Sequence, residues 1–141
     1  MSKETTKKIT YKELNEVVRV ANFIMQTAKD VAGTKFEYAF SKFTKTNYKE
    51  LAEAYNDELA DIRIDHALED SETKAILKDE SEKGRGFMYS KKGLKDVIKA
   101  ERDLDKKYDK KEVEVEPYIS SYVPKKMSQL QTEILTGFLI K

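Results

Sequence analysis

Cysteine and tryptophan are absent from this chain, histidine occurs once, and five glycines and two prolines are all that punctuate its 141 residues. Without cysteine there is no disulfide framework and no thiolate metal site. No apolar run approaches the roughly 20 residues needed to cross a bilayer. Met1 to Lys8 is polar and charged, with no apolar stretch behind it that resembles a signal peptide. The expectation is a soluble intracellular protein with no membrane partner. An excess of either charge is also missing, because 27 Lys and Arg stand against 26 Asp and Glu. Holding nucleic acid by net charge needs surplus cations, so that function class is set aside. Arginine is scarce too: only Arg19, Arg63, Arg85 and Arg102 offer the planar fork suited to phosphates and base edges.

What the chain does have is helix punctuation. Thr10-x-x-Glu13, Thr34-x-x-Glu37, Asn47-x-x-Glu50 and Ser128-x-x-Gln131 each set a capping residue three positions before Glu or Gln. Behind Thr10, with Ile9 and Leu14 placed as a hydrophobic staple, Leu14, Val17, Val18, Ala21, Ile24, Ala28 and Val31 mark a helical face. Val20, Phe23 and Met25 widen it, which predicts burial on more than one side. Gly33 reads as the stop, since glycine takes the left-handed conformation at least cost. Phe36, Phe40 and Phe43 then follow at helical spacing. The stripe slips phase over Thr44 to Asn47 before Tyr48, Leu51, Tyr55, Leu59 and Ile62 resume it. Either one kinked helix or two helices fit that slip, ending near Leu68.

Residues 69–84 are charge-dense. Short strands are predicted around Ala75 to Leu77 and over Phe87 to Tyr89, joined by a turn at Gly84-Arg85-Gly86. Ser90 caps a further helix bearing Leu94, Val97, Ile98, Ala100, Leu104 and Tyr108. Glu112 to Glu116 alternates strictly, the period of a half-buried strand, and Pro117 ends it. Ser128 opens a last helix with Leu130, Ile134, Leu135, Phe138 and Leu139. The predicted fold is α+β and mainly α: a disordered lead-in over 1–9, then a single helical domain over 10–141. A small two- or three-stranded sheet is expected in its second half.

Catalytic chemistry finds little footing. His66 has Asp61, Asp65 and Asp70 nearby in sequence, yet no nucleophile, second histidine or ligand spacing accompanies it, so it reads as a structural histidine. Glu53, Asp57, Asp61 and Asp65 recur every four residues and form an acidic ridge. Such like-charge pairs cost an isolated helix about 0.2–0.5 kcal/mol each. The ridge climbs one helix without converging, so it suits a solvated face or a partner contact better than a metal. Lys83 to Gly86 leads toward a strand, not a helix, and lacks the N-terminus that helps bind phosphate. The lysines from Lys106 to Lys111 suit a helix C-terminus. Tyr118 and Tyr122 read as a candidate contact loop. Val20, Phe23, Phe36 and Phe40 concentrate enough apolar surface to be candidates for self-association. No enzyme activity, cofactor or metal is expected.

The element order resembles a family of small, uncharacterised tailed-phage and prophage proteins. The features are a short N-terminal helix with Leu14-Asn15, a tight turn, and a Lys/Glu-rich helix beginning with aromatics and running through Glu50-Leu51-Ala52-Glu53-Ala54-Tyr55. A charged hairpin region, a Lys-rich helix, the Glu112–Glu116 strand and a Leu-rich terminal helix follow. The resemblance implies a viral origin and a non-enzymatic role in virion structure or assembly through helix-mediated contacts. The partners would be the protein itself or other phage proteins. An alternative is an inhibitor that binds a host or defence protein. The implied location is the host cytoplasm or the virion.

Overall fold

The computed structural model describes residues 6–79 and 85–141. Five helices and two strands run in the order β1 (Lys7–Thr10), α1 (Tyr11–Thr27), α2 (Lys35–Asn47), α3 (Lys49–His66), α4 (Lys91–Asp109), β2 (Glu112–Val115) and α5 (Gln129–Leu135). The fold is α+β and mainly α. The chain divides into two compact units, one made of Met1–Ala52 with Asp109–Lys141 and the other of Glu53–Tyr108.

In the first unit, β1 and β2 pair antiparallel, with Lys8 opposite Glu114 and Ile9 opposite Val113. Opposite charges and apolar partners directly across a ladder each stabilise it by about 0.2–1 kcal/mol. This pairing corrects two expectations. Lys7 to Ile9 form a strand, not a disordered lead-in, and the sheet pairs that N-terminal strand with β2 instead of two elements of the second half. Residues 1–5 of the expected lead-in lie outside the described residues.

The Thr10 capping box is complete: its hydroxyl accepts from the Glu13 N–H at 3.2 Å, and Glu13 accepts from the Thr10 N–H at 2.9 Å. One face of α1 buries Leu14, Val17, Ala21 and Ile24. The helix stops at Thr27, with Ala28 extended, six residues before the predicted stop at Gly33. The cause is tertiary. Asp30 accepts the Tyr122 hydroxyl at 2.6 Å and the Lys125 N–H at 3.0 Å, which pins the loop away from the helix axis. Val31 is fully buried from that loop, and Gly33 turns the chain with φ at +75°.

Phe36 and Phe43 of α2 are fully buried, each such side chain contributing about 1.5–3 kcal/mol. Phe43 meets Phe138 edge-on, with centroids 6.3 Å apart. The aromatic-led segment is two helices, α2 and α3, which settles the alternative left by the phase slip. Tyr48 makes the break; its ring stacks on Tyr11 at 6.1 Å and its hydroxyl donates to Asn15 at 2.6 Å. Asn47 does not cap α3. Its amide bridges the backbone of Glu116 in both directions, each bond 2.8 Å long.

The last capping box, Ser128 with Gln131, is complete. The helix it opens, α5, ends at Leu135, short of the predicted span. Gly137, at φ +87°, turns the chain so that Leu139 and Ile140 bury beneath it.

In the second unit, Ser90 caps α4 by accepting the Gly93 N–H at 2.9 Å, and Val97, Leu104 and Tyr108 form its buried face. The predicted strands near Ala75 to Leu77 and Phe87 to Tyr89 reduce to single bridges, Glu69 with Ile76 and Lys78 with Phe87. Backbone bonds still tie them: Leu77 N–H to Leu68 carbonyl and Met88 N–H to Leu77 carbonyl. An Asp70 turn holds the first bend. Its carboxylate accepts from the Thr73 and Glu72 N–H groups, which keeps its pKa below the ordinary value. Lys83 and Gly84 of the predicted turn lie outside the described residues.

Candidate functional site

The four residues expected to drive self-association separate in the fold. Val20 and Phe36 are buried and Phe40 is half-buried, so they serve the core of the first unit. Phe23 remains 54% exposed. Around it, α1 and α5 form a shallow depression of about 520 Å3 lined by Glu16, Arg19, Val20, Phe23, Leu130 and Ile134 with Ser128 and Gln131. Leu130, which the sequence places with the core residues of the last helix, is 65% exposed on this surface. The reason is the wide apolar arc of α1. Leu14, Val17, Ala21 and Ile24 point inward, and Phe23 lies outside that face. On the rim, Arg19 and Glu16 approach to only 3.8 Å and are both exposed, a pair of little energetic weight. An exposed Phe and Leu facing one depression make a candidate contact surface.

All four residues of the acidic ridge on α3, Glu53, Asp57, Asp61 and Asp65, are exposed. None of them forms an ion pair with another described residue. The inward carboxylates of α3 and α4 behave differently. Glu101 sits between Arg63 and Arg85, each with a nitrogen 2.8 Å from a carboxylate oxygen, and Arg85 adds a second contact through Nε. Burial raises the Glu101 pKa, but the hydrogen bonds from Arg85 and Arg63 outweigh it and hold the carboxyl below its ordinary value. Glu58 accepts the Tyr108 hydroxyl and, at 2.9 Å, the Lys107 ammonium. The Tyr108 phenol is pushed up to about 12, by that hydrogen bond first and by burial second. Asp105 accepts the Tyr55 hydroxyl; burial, then that bond, raises the Tyr55 pKa. The two rings meet edge-on, 5.2 Å apart. Sequence reasoning missed this Arg–Glu and Tyr–carboxylate network. The signal available was position alone: Arg63 and Glu101 lie on the apolar sides of their helices.

His66 is half-buried near the end of α3, its Nδ1 2.8 Å from the Ile62 carbonyl. A carbonyl only accepts, so Nδ1 carries the proton and the ring closes the last helical turn. Among the described residues no group of three or more potential metal ligands converges.

The two tyrosines of the candidate loop part company. Tyr122 is locked to Asp30, whose carboxyl is held below its ordinary pKa chiefly by that phenol and then by the Lys125 N–H. The carboxylate in turn raises the Tyr122 pKa. Tyr118 is half-buried, its hydroxyl 3.1 Å from that of Thr46, and it lines a second cleft in the first unit. No helix among the described residues is long and apolar enough to cross a membrane. No protein-family model, curated protein or solved structure matches the chain.

Proposed function

We propose that this chain is a non-enzymatic bacteriophage protein that acts in virion structure or assembly by docking helices against copies of itself or other phage proteins. The observation that carries the contact role is the exposed Phe23–Leu130 pair on the α1–α5 face of the first unit. Burying two such side chains is worth about 1.5–3 kcal/mol each, enough to anchor a helix-on-helix contact. The non-catalytic reading draws support from where the titratable groups go: His66 closes a helix, and Glu58, Glu101 and Asp105 bind Tyr, Arg or Lys side chains of their own unit. The phage attribution rests on the element order alone.

Multi-angle light scattering is the direct test. Wild-type protein is expected to associate in the micromolar range, and Phe23→Ser with Leu130→Ser to return it to a monomer of unchanged helicity. A wild-type chain that stays monomeric at high micromolar concentration overturns self-association.

The inhibitor reading has one observation in its favour, the exposed acidic ridge, which pairs with no cation among the described residues. If the ridge docks a basic host protein, Asp57→Lys with Asp61→Lys weakens that complex sharply. Salt weakens the wild-type complex as well, because exposed charges are screened beyond about 8 Å at physiological ionic strength.

A further inference from the structure

A cleft of about 550 Å3 opens in the first unit between α2 and the segment after β2, within the size range of sites that hold small ligands. Lys35, Tyr38, Ala39 and Lys42 make one wall; their spacing of three, four and seven puts them on one helical face. Residues 116–121 make the other. Tyr38 is 64% exposed and Ile119 40%, and the Lys42 ammonium lies 5.3 Å from the centre of the Tyr38 ring.

The second wall is held in place along its length. Asn47 grips the Glu116 backbone, Tyr118 N–H donates to the Phe138 carbonyl at 2.9 Å, and Ser120 N–H donates to the Leu139 carbonyl at 2.8 Å. The buried Ser120 hydroxyl closes onto the backbone of Tyr122. Between these anchored residues, the backbone N–H and carbonyl of Ile119 bond to no described residue. A fixed wall therefore offers the Ile119 backbone donor and acceptor beside two lysines and two aromatic rings. Glu116 is the single acidic residue of the lining, so cations prevail.

We propose that this cleft binds an extended acidic peptide of a partner protein, which pairs with the Ile119 backbone, sets a carboxylate on Lys35 or Lys42, and lays an apolar or aromatic side chain against Tyr38 and Tyr118. An extended peptide presents its N–H and carbonyl groups for such edge pairing while side chains two apart face the same way, one toward the lysines and the next-but-one toward the rings. Single-stranded nucleic acid would use the rings, the lysines and the N–H, but its phosphates only accept and leave the Ile119 carbonyl without a donor. The cleft shares neither Phe23 nor Leu130 with the α1–α5 face, so its test stands apart from that of self-association.

Fluorescence anisotropy with a labelled Glu-Ser-Tyr-Ser-Glu peptide, whose Glu and Tyr side chains share one face when extended, tests the proposal on the full chain. Wild-type protein is expected to bind it saturably. Replacing the peptide's Glu by Gln, or Lys35 and Lys42 by Glu, should weaken binding about tenfold or more, as loss of a charge-assisted bond requires. Ile119→Pro, which deletes the Ile119 N–H, should weaken it several-fold with unchanged circular dichroism. If that variant perturbs the fold, a probe N-methylated at its central residue removes the pairing from the peptide side and decides instead. No saturation by about 1 mM peptide, equal affinity for the Gln probe, equal affinity of the N-methylated probe, or tighter binding of oligothymidylate would each overturn it.

Discussion

Asn47 shows how one side chain can suit two roles, with tertiary structure choosing between them. The sequence pattern makes it a helix cap, and a cap needs only an oxygen acceptor. In the fold it donates through Nδ2 and accepts through Oδ1 on the same residue, Glu116. Aspartate supplies an acceptor and no donor. Asn47→Asp is thus expected to destabilise the first unit nearly as much as Asn47→Ala, by about 1–3 kcal/mol for bonds left unmade at a partly buried site. Chemical denaturation measures it, and full tolerance of Asp would restore the capping role. Glu101 makes a comparable point in the second unit. Its pKa is lowered in the fold from an ordinary 4.5. The stabilisation it brings is therefore present above about that pH and lost as pH falls through the folded value. Glu101→Gln should cost about 2 kcal/mol near neutral pH and flatten the acid limb of the stability profile. An unchanged acid limb in the variant would place the acid sensitivity in other carboxylates.

At the level of elements, sequence legibility followed the range of the interactions that set each boundary. Thr10 and Ser128 cap their helices as read, because both partners of a capping box lie within four residues. The strict Glu–Val alternation likewise marked β2. What failed was set from afar. The end of α1 depends on Asp30 meeting Tyr122, 92 positions on, and β1 is recognisable as a strand only when Lys8 is seen opposite Glu114. Thr34 stands between the two cases. Its side chain makes no cap bond and instead donates to the Val31 carbonyl at 2.6 Å, while Glu37 accepts the Gly33 N–H at 2.6 Å. The three positions should therefore respond differently to substitution. Thr10→Ala and Ser128→Ala should each cost about 1 kcal/mol and fray α1 or α5. Thr34→Val, which loses one turn bond, should leave the Tyr38 N–H, bonded to the Thr34 carbonyl at the start of α2, as slow to exchange as before. Fraying of α2 in that variant would show that Thr34 acts as a cap in solution. The candidate surfaces were half legible for the same reason. Exposure of the ridge on α3 follows from its own helical period, but whether Phe23, Val20 or Leu130 faces outward depends on how α1 and α5 pack.

For the whole molecule, the division into two units carries an energetic expectation. The first unit holds most of the fully buried side chains, among them Phe36, Phe43, Leu14, Leu135 and Leu139. In the second, α3 contributes no fully buried residue, and polar pairs knit it to α4: Arg63 with Glu101, Tyr55 with Asp105, Tyr108 with Glu58. A net hydrogen bond contributes only about 0.5–1.5 kcal/mol, whereas emptying a buried phenylalanine site costs about 3–5 kcal/mol. The second unit should accordingly open at lower free energy than the first, as regions with few buried apolar contacts do. Native-state hydrogen exchange reads this directly. In wild-type protein, amides of α4 around Val97 to Leu104 should exchange through a lower-energy opening than those of α1 around Val17 to Ile24. Glu101→Gln should speed exchange across residues 53–108 and leave the β1–β2 ladder protected. Phe43→Ala should release that ladder and the α1 core together. If each variant instead accelerated every protected amide equally, the chain would unfold as one cooperative body, and its division would be geometric only.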